Sequence, residues 1–513
     1  MTYARFGNSA YKYGNNTRFY GVGATDTILR WIIEIDWNGD GVFDGTNEAQ
    51  YAVAMSTKRG RSNYIRLNSD GKADGFERMK IGRLSLTLKN RNGRYDPYNT
   101  SSPLYPYILP GRYIKVRLDY SGTIYPVFAG KIYNIRPISG TDPVVTIEAE
   151  DGGRILQNTD VSISVQQSID LDDAIAQVLD DANYPSLWGS NLEDSADVLN
   201  YWWADDRAIT EIERLADADL GQFFVAADGA ATFYNRHHTN TDLFSLTQTE
   251  VLKEIEVPLP WEAVRNVVKV VAHPRIAVTA QTLWTLADTP PIAAGGSVTV
   301  WASYTYSDQT VPAYNVTTPV VTTDYLVNTA ADGSGSNLSG SCVITTFTDF
   351  GTTAKIVLTN NSASDGYVTL LKVRGDALTA PDASLLIEED TASQAIYEKL
   401  LFTLDSDWLQ DTELAGHFAE WLISFLATPQ KFPTVQLEGR TAYQFEPDLF
   451  DTIGLTVSKL GINDSFRVAE IEHQWIIANG QAVRTTWRLE PHADLSAFWQ
   501  FTTQIGVTSV FGI

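Results

Sequence analysis

Leu84, Leu86 and Leu88 alternate with Arg83, Ser85, Thr87 and Lys89. That two-residue period belongs to a strand with one buried face. Ile114, Val116 and Leu118 repeat it against Lys115, Arg117 and Asp119. Between these runs Pro97, Pro103, Pro106 and Pro110 stiffen a long loop and keep it out of a central strand. With TIYPVFAGKIYNI and VVTIEAEDGGRIL behind them, residues 51–160 predict a first small β-barrel. Residues 1–50 precede it as an arm rich in Tyr, Asn and Gly, the strand ILRWIIEIDW and an acidic turn.

The period changes over residues 161–255, which predict an α+β unit. Ser168 or Asp170 caps a helix with Ile175, Val178, Leu179 and Ala182 on one face, closed by Pro185. A second helix starts near Asp206, with Ile209, Ile212, Leu215 and Ala216 at helical spacing, and stops at Gly221. Two short strands follow around Asp228-Gly229, a dipeptide suited to a type I′ hairpin. Residues 256–273 read as a return strand. From 274 to 380 short strands recur about every ten residues in a Thr-, Val-, Ser- and Gly-rich stretch, the pattern of an inserted β-sandwich. Residues 381–430 predict a helical segment, with one helix over Thr391–Leu404 and another capped by Asp411 and stopped by Pro429. Residues 431–494 predict a second β-barrel with a hairpin at Asn479-Gly480, and 495–513 an apolar C-terminal arm. The fold class expected is mainly β with α+β parts, in several domains.

Composition and charge narrow the function. The chain has 513 residues, 44% of them hydrophobic, and a formal charge of −24. The stretch Lys58–Arg136 nonetheless holds 16 Lys/Arg against five Asp/Glu, an excess of 11 that leaves −35 for the remainder. The total argues against a nucleic-acid binder, and the asymmetry suits a part that docks on an acidic neighbour. No window reaches the roughly 20 apolar residues of a membrane span. The first residues lack an apolar signal core, so release from a cell would be by lysis. A single cysteine, Cys342, allows no intramolecular disulfide or cysteine-based zinc site, and reads as a small buried residue of a strand.

Catalytic patterns are sparse. His237-His238 and Asp242 form a fragment of a metallopeptidase pattern that lacks its completing histidines. No HExxH, GxSxG, P-loop or GxGxxG sits in its required context, and the expectation is that the chain is not an enzyme. One stretch has ion-site character. Asp36, Asn38, Asp40, Val42 and Asp44 fall at alternate positions, with Gly41 at the bend, as in an EF-hand-type loop that binds Ca2+. Position 12 would be Asn47, Glu48 is one residue late, and no helix precedes the loop, so a plain Asx-rich turn stands beside calcium as the reading.

The segments IEIDWNGDGVFDG, LTLKNRNGRYDPYNTSSPLYPYILPGR, VFAGKI, VTIEAEDG, AITEIERLADADLGQFFVAADGAATFYNR and DTIGLTV…FRVAEIEHQW…TTWRLEP together resemble the tail hub (baseplate hub, minor tail) proteins of tailed bacteriophages. The resemblance covers about residues 30–510 and implies a structural virion protein at the distal end of the tail. It implies a homotrimer in which two tail-tube-like barrels per chain make a ring of pseudo-sixfold symmetry. Its partners would be distal tail and tail tube proteins on one side and tip or fibre proteins on the other, with DNA passing through the lumen at ejection without specific binding. The inserted sandwich would sit outside as an adhesin-like module facing a host surface glycan. An acidic or neutral lumen would repel DNA, and the basic first barrel would face the tube. Two other readings stay open: a carbohydrate-binding surface protein, and a tail-associated cell-wall lysin.

Overall fold

A computed structural model describes residues 29–195, 197–238, 241–247, 252–439, 442–476 and 482–492. Both expected arms and the Asn479-Gly480 turn lie outside the described residues. The protein is mainly β, with several sheets and a few helices. The alternation read from sequence sets which side chains are buried. Leu84, Leu86 and Leu88 are fully enclosed while Arg83 and Lys89 are exposed.

Twelve strands form one sheet. Across its first half the order is Leu29–Ile35, Tyr113–Tyr120, Thr123–Ile138, Val144–Glu150, Lys80–Lys89 and Ala52–Gly60. The second half holds Ser245–Thr247, Thr452–Val457, Ile462–Ile476, Ala482–Pro491, Thr434–Gly439 and Leu252–Glu256 in the same arrangement. Numbered along the chain, both halves read first, fourth, fifth, sixth, third, second. The equivalence extends to single residues. Lys131 lies opposite Glu150 as Arg467 lies opposite Glu490, and the ladder slips between Ile132 and Asn134 as it does between Val468 and Glu470. A second slip falls between Ala52 and Ala54, and again between Leu252 and Glu254. Ile132 exchanges backbone hydrogen bonds with Gly111 and Arg112, as Val468 does with Phe450 and Asp451. Two features differ: the outermost strand runs antiparallel to its neighbour in the first half and parallel in the second, and a slip between Val116 and Arg117 has no counterpart in the second half.

Neither half closes into the barrel expected from sequence. In the first half, side chains take the place of a closing ladder. The Asn47 amide accepts from Ile33 N at 3.0 Å and donates to Trp31 O at 2.8 Å, which covers the outer edge of Leu29–Ile35. Trp31 then packs on Trp475 and Phe445 of the other half, with ring centroids 5.2 and 5.9 Å away.

Other expectations shift in detail. The strands Ile65–Leu67 and Ala73–Phe76 leave the first half to join a five-stranded sheet with Val267–Ala272, Ser384–Glu389 and Leu401–Asp405. The helix expected over Thr391–Leu404 stops at Tyr397, and Leu401–Asp405 is a strand, because Phe402 and Leu404 alternate into the core beside Val267–Ala272. The helix Thr412–Leu426 forms as expected. The Asp411 carboxylate accepts from Glu413 N and Leu414 N, and Phe418 and Leu422 face the five-stranded sheet. At the end of the helix Ala208–Asp219 it is Leu220, not Gly221, that takes the left-handed conformation. The Asp228-Gly229 turn is longer than a two-residue hairpin: Ala226 N bonds Ala230 O and only Gly229 has positive φ. Residues 283–377 supply a core of their own between two sheets, one centred on Gly366–Thr379 and one on Thr353–Asn360.

Candidate functional site

The two half-sheets meet where Ala52–Gly60 pairs antiparallel with residues 470–476. This seam carries a cluster of buried ion pairs. Gly60 has φ +108°, and a Cβ there would stand 2.1 Å from Ala469 O, so the close approach of the two backbones requires glycine. The next residue, Arg61, donates to Ala469 O through its backbone N. Its guanidinium grips Glu490 in a fork, with contacts of 2.7 to 3.0 Å, and donates to Glu77 O and Gln222 Oε1. Both side chains are about 95% buried, at 3% and 5% exposure. On the other flank Arg59 donates to Asp448 at 2.6 Å and to Val225 O, and Asp448 also accepts from Ala227 N. Five partners from four separate chain segments therefore converge on the guanidinium groups that flank Gly60. Beneath them is a cavity of about 620 Å³, lined among others by Arg59, Arg61, Arg78, Glu213, Asp217 and Gln222.

The basic stretch that stood out in the sequence thus finds acidic neighbours within its own chain. Arg78 pairs with Glu213 and Asp217 of the Ala208–Asp219 helix, and Lys115 and Arg117 both pair with Glu34. The same compensation covers the solvent face of the large sheet. Lys58 and Arg488 flank Glu470 at 3.1 and 3.7 Å, Arg83 lies 3.4 Å from Glu150, Arg136 lies 3.3 Å from Glu148, and Arg484 lies 3.0 Å from Glu438. In register across the seam, Arg83, Lys58, Glu472 and Thr486 form one transverse row. The face is polar and continuous across both halves, with positive and negative groups interleaved.

The residues expected to hold calcium use their oxygens on the loop itself. Asp36 is buried, and its two carboxylate oxygens accept from Gly39 N and Gly41 N at 2.8 and 2.9 Å. Asn38 and Asp40 bond each other, Asp40 accepts from Val42 N, and Asp44 accepts from Thr46 N. Asn47 is engaged on the strand edge, and Glu48 points into the core, where it accepts from Trp37 Nε1 and Tyr95 Oη. A strand, not a helix, precedes the loop. Among the described residues no three His, Cys, Asp or Glu groups gather to hold a metal. The hydrogen bonds within the loop are those of an Asx-rich turn. His238 stacks on Tyr234 and bonds Glu193, while Asp242 accepts from Ser465, so that fragment is not assembled as a metal site. Cys342 is buried among residues of the 283–377 core. No helix among the described residues is long and apolar enough to cross a membrane.

No family model matches the chain, and no curated protein matches it. Solved structures do. A tail protein from Neisseria meningitidis MC58 has a TM-score of 0.49 at 9% identity, over 91% of this chain and 99% of its own. The 43 kDa tail protein of prophage MuSo2 from Shewanella oneidensis has a TM-score of 0.46 at 10% identity, over 90% and 98%. Prophage tail protein gp18 from Listeria monocytogenes EGD-e has a TM-score of 0.42 at 8% identity, over 90% and 94%. The resemblance is to phage tail proteins.

Two outcomes are expected at the seam. Gly60→Ala forces a positive φ on alanine and sets a methyl against Ala469 O, and costs at least about 2 kcal/mol. A lowered melting midpoint and faster amide exchange over residues 470–476 check it. The second concerns pH. Burial raises the pKa of Asp151 to about 7 against the opposing hydrogen bonds from Gly82 N and Gly153 N. Burial likewise raises Glu211 and Glu213 to about 7, outweighing Arg214 and Arg78, and Asp451 to about 6. These groups hold protons in the fold that the unfolded chain releases near pH 4, so their contribution is complete below about pH 4 and is lost as pH rises through 6–7. His473, pushed down to about 3 by burial and then by Arg59, acts oppositely: its contribution is present above about pH 6.5 and is lost as pH falls. Four carboxyls outweigh one imidazole. The melting midpoint is expected to be higher at pH 5 than at pH 8, and Asp151→Asn should narrow the difference. A higher midpoint at pH 8 would contradict this account.

Proposed function

We propose that this chain is a structural tail hub protein of a bacteriophage, a subunit of a trimeric ring that closes the distal tail tube, joins it to tip or fibre proteins and lets DNA pass at infection. One observation carries the reading: two half-sheets of the same strand order, matched in register at two bulges, stand side by side in one sheet. A chain that repeats one structural unit twice lets three copies present six near-equivalent units, which matches a sixfold tube. The charge-compensated face of that sheet suits the wall of a DNA channel. Most of the cations there have a carboxylate beside them, so a polyanion meets little net attraction and few counterions to release. The role proposed is structural and not enzymatic.

The isolated chain is expected to assemble into a species of three chains, read by light scattering, with six similar lobes by electron microscopy. A monomer at every concentration would overturn the ring. The channel reading has its own check. Glu148→Gln combined with Glu438→Gln leaves Arg136 and Arg484 without their carboxylate partners. The double variant is expected to gain salt-dependent binding to double-stranded DNA at 50 mM salt, read by fluorescence anisotropy, where the parent shows none. Equal weak binding by both would count against the face as the DNA wall.

A further inference from the structure

The duplication gives every strand of one half an equivalent in the other, and two edges are used unequally. The Ala52–Gly60 strand pairs on its outer side with residues 470–476. Its equivalent, Leu252–Glu256, pairs with Thr434–Gly439 and has no strand on its outer side among the described residues. The equivalent of 470–476 is the stretch that begins at Asn134 in the long strand Thr123–Ile138. That stretch pairs with Val144–Glu150 on one side and with no described strand on the other. The chain therefore contains one joined seam and both halves of a second one, unjoined.

We infer that the second seam forms between copies: the outer edge of Leu252–Leu259 in one subunit pairs with the outer edge of Tyr133–Ile138 in the next. This deepens the ring reading and rests on it for closure. Three further observations support it. The first is backbone direction. Phe432 N donates to Pro258 O, so Pro258 faces inward and its neighbours Val257 and Leu259 face the open edge. The segment has two prolines, Pro258 and Pro260, and the alternation turns both away from the edge, where an N–H would be needed. The second is exposure. Arg59 is only 4% exposed at the closed seam, while Leu259, at the same position of the repeat, is 61% exposed. Tyr133 and Ile138 on the opposite edge are exposed as well. Strand edges bearing uncovered Leu, Tyr and Ile fit a partner of the same kind and are an aggregation hazard without one. The third is that no alternative edge competes in the first half, where Asn47 already covers the outer edge of Leu29–Ile35.

The closed seam supplies the register. There Ser56 lies opposite Gln474, so Glu256 of one copy should lie opposite Ile138 of the next. This is a pair without direct backbone bonds, about 4.5 Å between Cα atoms and within disulfide reach. The contact is head-to-tail, so each copy offers one edge of each kind and a cycle consumes both. The experiment uses the full chain carrying Glu256→Cys and Ile138→Cys together, oxidised in the assembled state and run without reductant. A covalent ladder that stops at three chains, at least tenfold stronger than with either single change, is the expected result. Val257→Pro, which removes an edge N–H that has no described backbone partner within the subunit, should yield folded monomer by light scattering that still melts in one cooperative transition, at a midpoint lowered by the loss of Val257 from the second-half core. Rings of normal mass without the cross-link, or rings that persist with Val257→Pro, overturn the edge pairing and leave the ring reading in place. A parent chain that stays monomeric overturns both.

Discussion

The structure depends on the register of one strand pair. Ala52–Gly60 against 470–476 joins two half-sheets that would otherwise each end in an open edge. The register is locked where the backbones come closest, at Gly60 and Ala469, and by the Arg61–Glu490 fork beside them. A one-residue slip would turn every side chain of the strand to the opposite face. It would also strand a buried guanidinium and a buried carboxylate, a loss of about 3–5 kcal/mol when only one partner of such a pair is removed. Burying the pair is itself costly, so its value lies in excluding other registers. The hydrogen bonds to Glu77 O and Gln222 keep the remaining guanidinium protons satisfied.

The same seam accounts for the charge of the chain. A local excess of 11 positive charges in an acidic protein suggested an external acidic neighbour. Asp448, Glu470, Glu490, Glu213 and Asp217, which take up much of it, all lie far along the same chain. Attraction between the early basic strands and the later acidic segments brings together parts separated by up to 429 residues. Long-range closure of that kind is slow to search, and opposite charge on the two partners shortens the search without specifying the register. Glycine and the ionic fork supply the register afterwards.

Much of this was legible in the sequence and some was not. The alternation in 84–88 and 114–118 located strands correctly because one face of each is enclosed and the other is wet. The Asp411 cap and the Phe418–Leu422 face located a helix for the same reason. The pattern failed where local and tertiary preferences diverge. Leu401–Asp405 carries an apolar run too short to distinguish strand from helix, and parallel pairing with Val267–Ala272 decides it. The 36–44 loop matched a spacing rule, yet spacing alone did not show that Asp36 would tie the turn together by accepting from Gly39 and Gly41. The duplication was visible only as two regions of similar size. Its residue-level signal, such as Lys131-Ile132 beside Arg467-Val468 or Thr146 beside Thr486, is too thin to align before strand pairing is known.

Duplication without sequence identity permits a division of labour that a true repeat would forbid. Position 59 and its equivalent, position 259, follow the same bulge and register in the two halves, and one carries arginine and the other leucine. A seam made within one chain forms at the effective concentration of its own folding and tolerates the desolvation of two arginines, since their partners are already tethered. A seam made between chains must form from solution and come apart during assembly errors. Apolar contacts backed by main-chain bonds suit such a joint, because they need no buried charge left unpaired in the free subunit. The exchange of Arg59 for Leu259 is the difference expected between a joint fixed in folding and a joint fixed in assembly.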